Sequence, residues 1–169
     1  MSTQTKDRRG LSWTEICEDP LLQDLPYKVE TNQYGQIVLS PHSRLRSRLQ
    51  IFVSDRLRDH LDRGERFVEL AIETAKGTKV ADVAWMSADR YASIPESAEP
   101  TPQAPEICVE IRSSSNMDEE MAEKRALYFD AGAEEVWTCA EDGAVTFYDE
   151  TGEIESSRRV PSFTHQIDN

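Results

Sequence analysis

Cysteine is scarce in this chain of 169 residues, and its three copies, Cys17, Cys108 and Cys139, lie far apart with no CxxC pair and no Cys/His cluster. That spacing excludes a zinc ribbon and gives no disulfide framework, so all three are expected to be buried, reduced thiols. Long apolar runs are missing too. No segment approaches the roughly 20 apolar residues of a membrane span, and the opening MSTQTKDRRG lacks the apolar core of a signal peptide. A cytoplasmic protein without a membrane partner is the expectation. Positive charge is also short, with 19 Lys and Arg against 32 Asp and Glu and a net charge of −13. Phosphate affinity comes largely from Lys and Arg, which excludes a protein that holds nucleic acid mainly by a basic surface. Any such site must be local. The three histidines, His42, His60 and His165, have no second ligand at metal spacing, so they are assigned to surface or cap positions.

What is present suffices for one domain. With 38% hydrophobic residues the chain can fill a single core, and it is too short for two comfortable ones. Ser12 and Glu15 have capping-box spacing for a short helix ahead of Pro20. YKVET and QIVLS flank NQYG, whose Gly35 can take positive φ, which predicts a hairpin from Tyr27 to Ser40. From about Ser43 to Leu61, Leu45, Leu49, Phe52, Val53, Leu57 and Leu61 recur at helical spacing. RFVELAIET and TKVADVAWM then read as an antiparallel pair joined around Lys76 and Gly77. Pro95, Pro100, Pro102 and Pro105 predict an exposed loop from Ala88 to Pro105 without a regular element.

EICVEI, nearly continuous in hydrophobicity, reads as a strand buried on both faces. A helix is predicted from a cap at Ser115 or Asn116 through Ala131, with Gly132 as its stop and Met117, Met121, Leu127, Tyr128 and Ala131 on its apolar side. Two strands, EEVWTCA and AVTFYDE, follow around EDG. Beyond Gly152 the tail is polar, with Val160 and Phe163 as a possible edge strand. The three tryptophans, Trp13, Trp85 and Trp137, are assigned to the core or an interface rather than to base stacking.

Chemistry concentrates in two of these strands. Asp82 lies inside the second strand of the antiparallel pair, and Glu110 interrupts EICVEI with a charge whose burial is costly unless it is paired or bound to a metal. A hard divalent cation such as Mg²⁺ takes oxygen ligands and is typically held by one or two carboxylates plus a substrate phosphate. Lys124, two turns into the next helix, could orient a water or offset developing negative charge. Bland alternatives stay open: Glu110 could simply pair with Arg112 or Lys124, and Asp82 could cap a turn. Ser113 to Ser115 lacks a nucleophile elbow, which argues against a serine hydrolase.

The runs VADVAWMS, PEICVEIRSSS and EKRALYFDAGAEEVWTC, with YKVETNQYGQIVLSPHSRLRSRL upstream, resemble the Uma restriction endonuclease family of the PD-(D/E)xK nuclease superfamily. The resemblance spans roughly Tyr27 to Asp149. It implies an α/β, restriction-endonuclease-like mixed β-sheet flanked by helices, in a single domain with its core at about 27–149, an N-terminal extension over 1–26 and a polar tail over 152–169. It further implies a metal held by Asp82, Glu110 and the main-chain carbonyl of Ile111, with Glu30 as a supporting acid and Lys124 in the role of the superfamily's strand lysine. The usual Pro-Asp is here Ala81-Asp82, the strand-lysine position carries Arg112, and the family's Ser-Pro-Ser stretch is Ser113-Ser114-Ser115. Arg112 and Lys124 are therefore rivals for the lysine role.

Two functions fit these residues. The first is an endonuclease-like phosphodiesterase that hydrolyses DNA with Mg²⁺ or Mn²⁺. The second is a catalytically inactive nuclease fold acting as a binding or assembly module. A homodimer through exposed aromatic strands is expected.

Overall fold

A computed structural model describes residues 10–168. Helix α1 (Trp13–Glu18) opens on the expected capping box, in which Ser12 and Glu15 each satisfy the other's backbone N–H. Strands β1 (Tyr27–Thr31) and β2 (Ile37–Pro41) form a separate antiparallel hairpin, turning at Gly35 with φ 71. Helix α2 (Arg44–His60) is capped by the Ser43 hydroxyl and turns Leu49, Val53 and Leu57 inward.

The main sheet has six strands in the order β3 (Glu65–Thr74), β4 (Gly77–Met86), β5 (Ile107–Arg112), β6 (Glu135–Ala140), β7 (Val145–Asp149) and β8 (Gly152–Ile154). Only β5 and β6 run parallel, because helix α4 (Asp118–Asp130) carries the chain back between them; the other neighbours are antiparallel. The result is a mixed α/β sheet flanked by helices, as expected. Because side chains alternate along a strand, Ile107, Val109 and Ile111 of β5 join the core under α2. Cys108 packs on the other side with Tyr128 of α4. Glu110 has the same parity as Cys108, so it faces α4.

Four expectations are corrected. The stretch 88–105 is not featureless: Ser87 caps a helix, α3 (Ala88–Ser93), and Thr101 exchanges backbone hydrogen bonds with Ala71 and Glu73, which covers the outer edge of β3. Helix α4 starts after Met117 without a side-chain cap, since the Asn116 side-chain oxygen is taken by the backbone N–H of Ser113, and Met117 is 67% exposed rather than part of the apolar side. Val160 and Phe163 form no strand; they fill the α2-side core with Ile167, and the edge strand is β8. Cys17 is exposed, whereas Cys108 and Cys139 are buried. Trp85 and Trp137 are core residues, as expected.

Candidate active site

The site lies where β4 and β5 part. They pair only from Val83↔Val109 to Trp85↔Ile107, so the first half of β4 has lost its neighbour on that side. Bare backbone groups there must find other partners. The β1 hairpin supplies them with side chains. The Val80 N–H donates to Oε2 of Glu30 at 2.7 Å, the Thr78 N–H donates to the Thr31 hydroxyl at 2.8 Å, and Lys28 Nζ donates to the Val80 carbonyl at 3.1 Å. Asp82 fills the fork itself, its Oδ2 accepting the Ile111 N–H at 2.7 Å.

The opposite edge of β4 is irregular at the same point. The β3–β4 register skips the pair Glu69 and Asp82, and Glu69 adopts φ 57, a left-handed value that costs a non-glycine residue on the order of 1–3 kcal/mol. Asp82 thus sits where its strand is held by side chains on one edge and by a strained residue on the other.

Five charged side chains converge there. Lys28 Nζ lies 3.1 Å from Oδ1 of Asp82 and 3.3 Å from Oε2 of Glu110. Lys124 Nζ reaches down from α4 to Oε1 of Glu110 at 3.1 Å and Oε2 of Glu30 at 2.9 Å. Oε1 of Glu110 also accepts the Tyr128 hydroxyl at 2.6 Å, so both its oxygens are engaged. Lys28 is 4% exposed, Asp82 0% and Glu110 4%. Buried charges of this kind persist only when paired and hydrogen-bonded, and each of these is.

The two acids have opposite electrostatic fates. Burial, reinforced by the Glu110 carboxylate, pushes Asp82 up to about 6 despite Lys28. Burial would raise Glu110 too, but the ammonium groups of Lys124 and Lys28 with the Tyr128 hydroxyl overcome it and hold Glu110 at about 2. Lys28 is driven the other way: burial disfavours its charge, yet Glu110, Asp82 and Glu30 together raise its pKa above the ordinary lysine value. The Tyr128 hydroxyl is raised by burial and by Glu110, which keeps it a donor.

The donor set suits a hard divalent cation. One oxygen from each of two buried carboxylates points at a single position, and the Lys28 ammonium at that position is a stand-in ion of unit charge. Among the described residues no three His, Cys, Asp or Glu side chains are grouped as a metal site, because Glu30 is turned away toward Lys124 and Val80. Outside the ion cluster, Glu30, Val38, Lys79, Glu120, Glu123, Lys124 and Leu127 line a groove of about 240 Å³.

Of the residues expected from sequence, Asp82, Glu110 and Lys124 come together, with Glu30 bridged to them through Lys124. Ile111 is adjacent, its N–H already bound to Asp82. Arg112 does not join them; it pairs with Asp118 and donates to the Asn116 carbonyl on the surface. Sequence reasoning missed Lys28, although strand alternation puts it on the same face of β1 as Glu30. It also assigned Tyr128 only to packing, and nothing local in the sequence marks that phenol as a partner of Glu110.

A family model described as Uma2, "Putative restriction endonuclease", matches residues 19–166. Among solved structures, the chain is similar to a "putative nuclease belonging to DUF820" from Anabaena variabilis, with a TM-score of 0.71 at 15% identity, covering 92% of this chain and 94% of that one. At that identity the likeness speaks for the fold. No curated protein matches.

Proposed function

The chain belongs to the Uma2 family, described as "Putative restriction endonuclease", and from that premise we propose that it is a Mg²⁺- or Mn²⁺-dependent phosphodiesterase acting on DNA. The convergence of Asp82 and Glu110 on one cation position, with Lys124 against Glu110, carries this reading. Asp82 and Glu110 would hold the metal, with the Ile111 carbonyl as a further oxygen. A metal so held polarises a phosphate and makes a water more acidic.

The chain's own groups do the rest. Tyr128 fixes Oε1 of Glu110 and leaves Oε2 to face the cation position. Lys124 lines the outer groove and presents positive charge where a phosphate oxygen or its attacking water would lie, and Glu30 keeps that ammonium oriented. Negative charge on the groove rim, from Glu120 and Glu123, is offset by Lys79 and by Lys76, which pairs with Glu123. DNA would therefore be held by local contacts, in keeping with the overall charge of −13.

One observation favours the second reading, a binding or assembly module, as a homodimer or otherwise: the Lys28 ammonium already fills the cation position between the two acids. Plasmid nicking by wild type and Glu110→Gln with Mg²⁺ or Mn²⁺ separates the two. Metal-dependent nicking that Glu110→Gln abolishes is expected for the nuclease. Equal nicking by both proteins would mean contamination, and none at millimolar Mn²⁺ would favour the module.

A further inference from the structure

We propose that Lys28 is the resident cation of the Asp82–Glu110 pair and sets its metal affinity: its ammonium holds the metal's position, and a divalent ion binds only by displacing it. This rests on the metal-site reading above. The hairpin delivers Lys28 from outside the main sheet, anchored by its bond to the Val80 carbonyl, and its ammonium touches the same two oxygens that would coordinate the metal. Ammonium and metal cannot share that point, because like charges at contact distance inside a poorly screened site repel strongly. Each carboxylate keeps one oxygen committed elsewhere, Asp82 Oδ2 to the Ile111 N–H and Glu110 Oε1 to Tyr128 and Lys124, so exchange at the shared position breaks only the bonds of Lys28 itself, its anchor to the Val80 carbonyl included.

There is room for the displaced side chain. Lys28 also borders a second groove, about 320 Å³, with Trp13, Ile16, Tyr27, Val80 and Glu69 in its walls. The Glu69 carboxylate, exposed and 3.4 Å from Nδ1 of His42, is a counter-ion available on that side. An ammonium leaving Asp82 and Glu110 would find a carboxylate there instead of an apolar wall.

Manganese itself is the probe, added to the whole chain and followed by calorimetry. Lys28→Met, which keeps the stem and removes the charge, is expected to bind Mn²⁺ at least tenfold more tightly than wild type. Arg46→Gln is the control for simple repulsion, since Arg46 influences both Lys28 and Asp82 through space without filling the position; less than a threefold change is expected. Should Lys28→Met fail to fold, wild type answers the question through amine acetylation read by mass spectrometry. Lys28 should be protected without metal and labelled at least fivefold faster at saturating Mn²⁺. Saturable Mn²⁺ binding with equal affinity in wild type and Lys28→Met, or with Lys28 still protected, would overturn the displacement while leaving the metal site standing. Absence of Mn²⁺ binding in both proteins would overturn both.

Discussion

The hydroxyl of Tyr128 donates to Oε1 of Glu110 across 2.6 Å, from a helix that enters the chain only after the strand carrying that carboxylate. Hydrogen bonds to a buried charge contribute about 1.5–3 kcal/mol. Tyr128→Phe keeps the ring and removes only the donor, so a loss of about that size in urea unfolding is expected. It would also release one constraint on Glu110 and weaken Mn²⁺ binding. A variant as stable as wild type would show that water replaces the phenol and that the carboxylate is not rigidly held.

Lys124 and Arg112 are both cations near Glu110 in sequence, but only Lys124 touches it; Arg112 is bound to Asp118. Lys124→Met should therefore lower metal-dependent nicking on the order of 10²-fold or more, as removal of a charge-stabilising donor does elsewhere. Arg112→Met should change it less than about threefold. The reverse ranking, measured as initial rates on supercoiled plasmid, would return the lysine role to the strand position.

Much of this arrangement was readable beforehand because it is local. Ser12 with Glu15, Ser43 at the head of α2, the turn at Gly35 and the nearly continuous apolar run of β5 each depend on residues a few positions apart. So did the candidate acids, since a charge inside an apolar strand needs an explanation. One miss is local: Ser87 caps α3 just ahead of a proline-rich stretch whose composition suggested only a loop. The others are long-range: Phe163 is placed by packing against Trp137 and Phe147, and Val160 by joining the same core, rather than by any period of their own. Lys28 escaped for the same reason. A lysine in a short hairpin reads as solvated until the fork between β4 and β5, set by pairings more than fifty residues away, gives it two buried carboxylates.

Thiol reactivity tests the revised placement of the cysteines. Burial raises all three thiols, Cys139 to about 11, but Cys17 alone is exposed to reagent. An aromatic disulfide reagent should therefore modify one thiol in the native protein, slowly because Glu99 and Glu18 disfavour the Cys17 thiolate, and three in denaturant. Rapid native modification of a second thiol would mean that the sheet opens around Cys108 or Cys139.

Acid pair and stability are linked with a definite sign. Asp82, raised to about 6 by burial and by Glu110, binds a proton in the folded protein more readily than in the unfolded chain, where its value is near 3.8. Its contribution to stability is thus fully present below about 3.8 and is lost as pH rises through about 6. Glu110 behaves oppositely: held at about 2, it contributes above the ordinary glutamate value of 4.5 and loses that contribution as pH falls toward 2, so it stays charged between pH 5 and 7. Within that window the Asp82 effect should stand alone for the pair. Metal-free wild type, compared with Asp82→Asn in denaturant titrations at pH 7 and pH 5, should gain stability relative to the variant on going to pH 5. Parallel pH profiles would show that Lys28 keeps Asp82 ionised throughout, and the fork between β4 and β5 would then hold a permanent ion pair in the absence of metal.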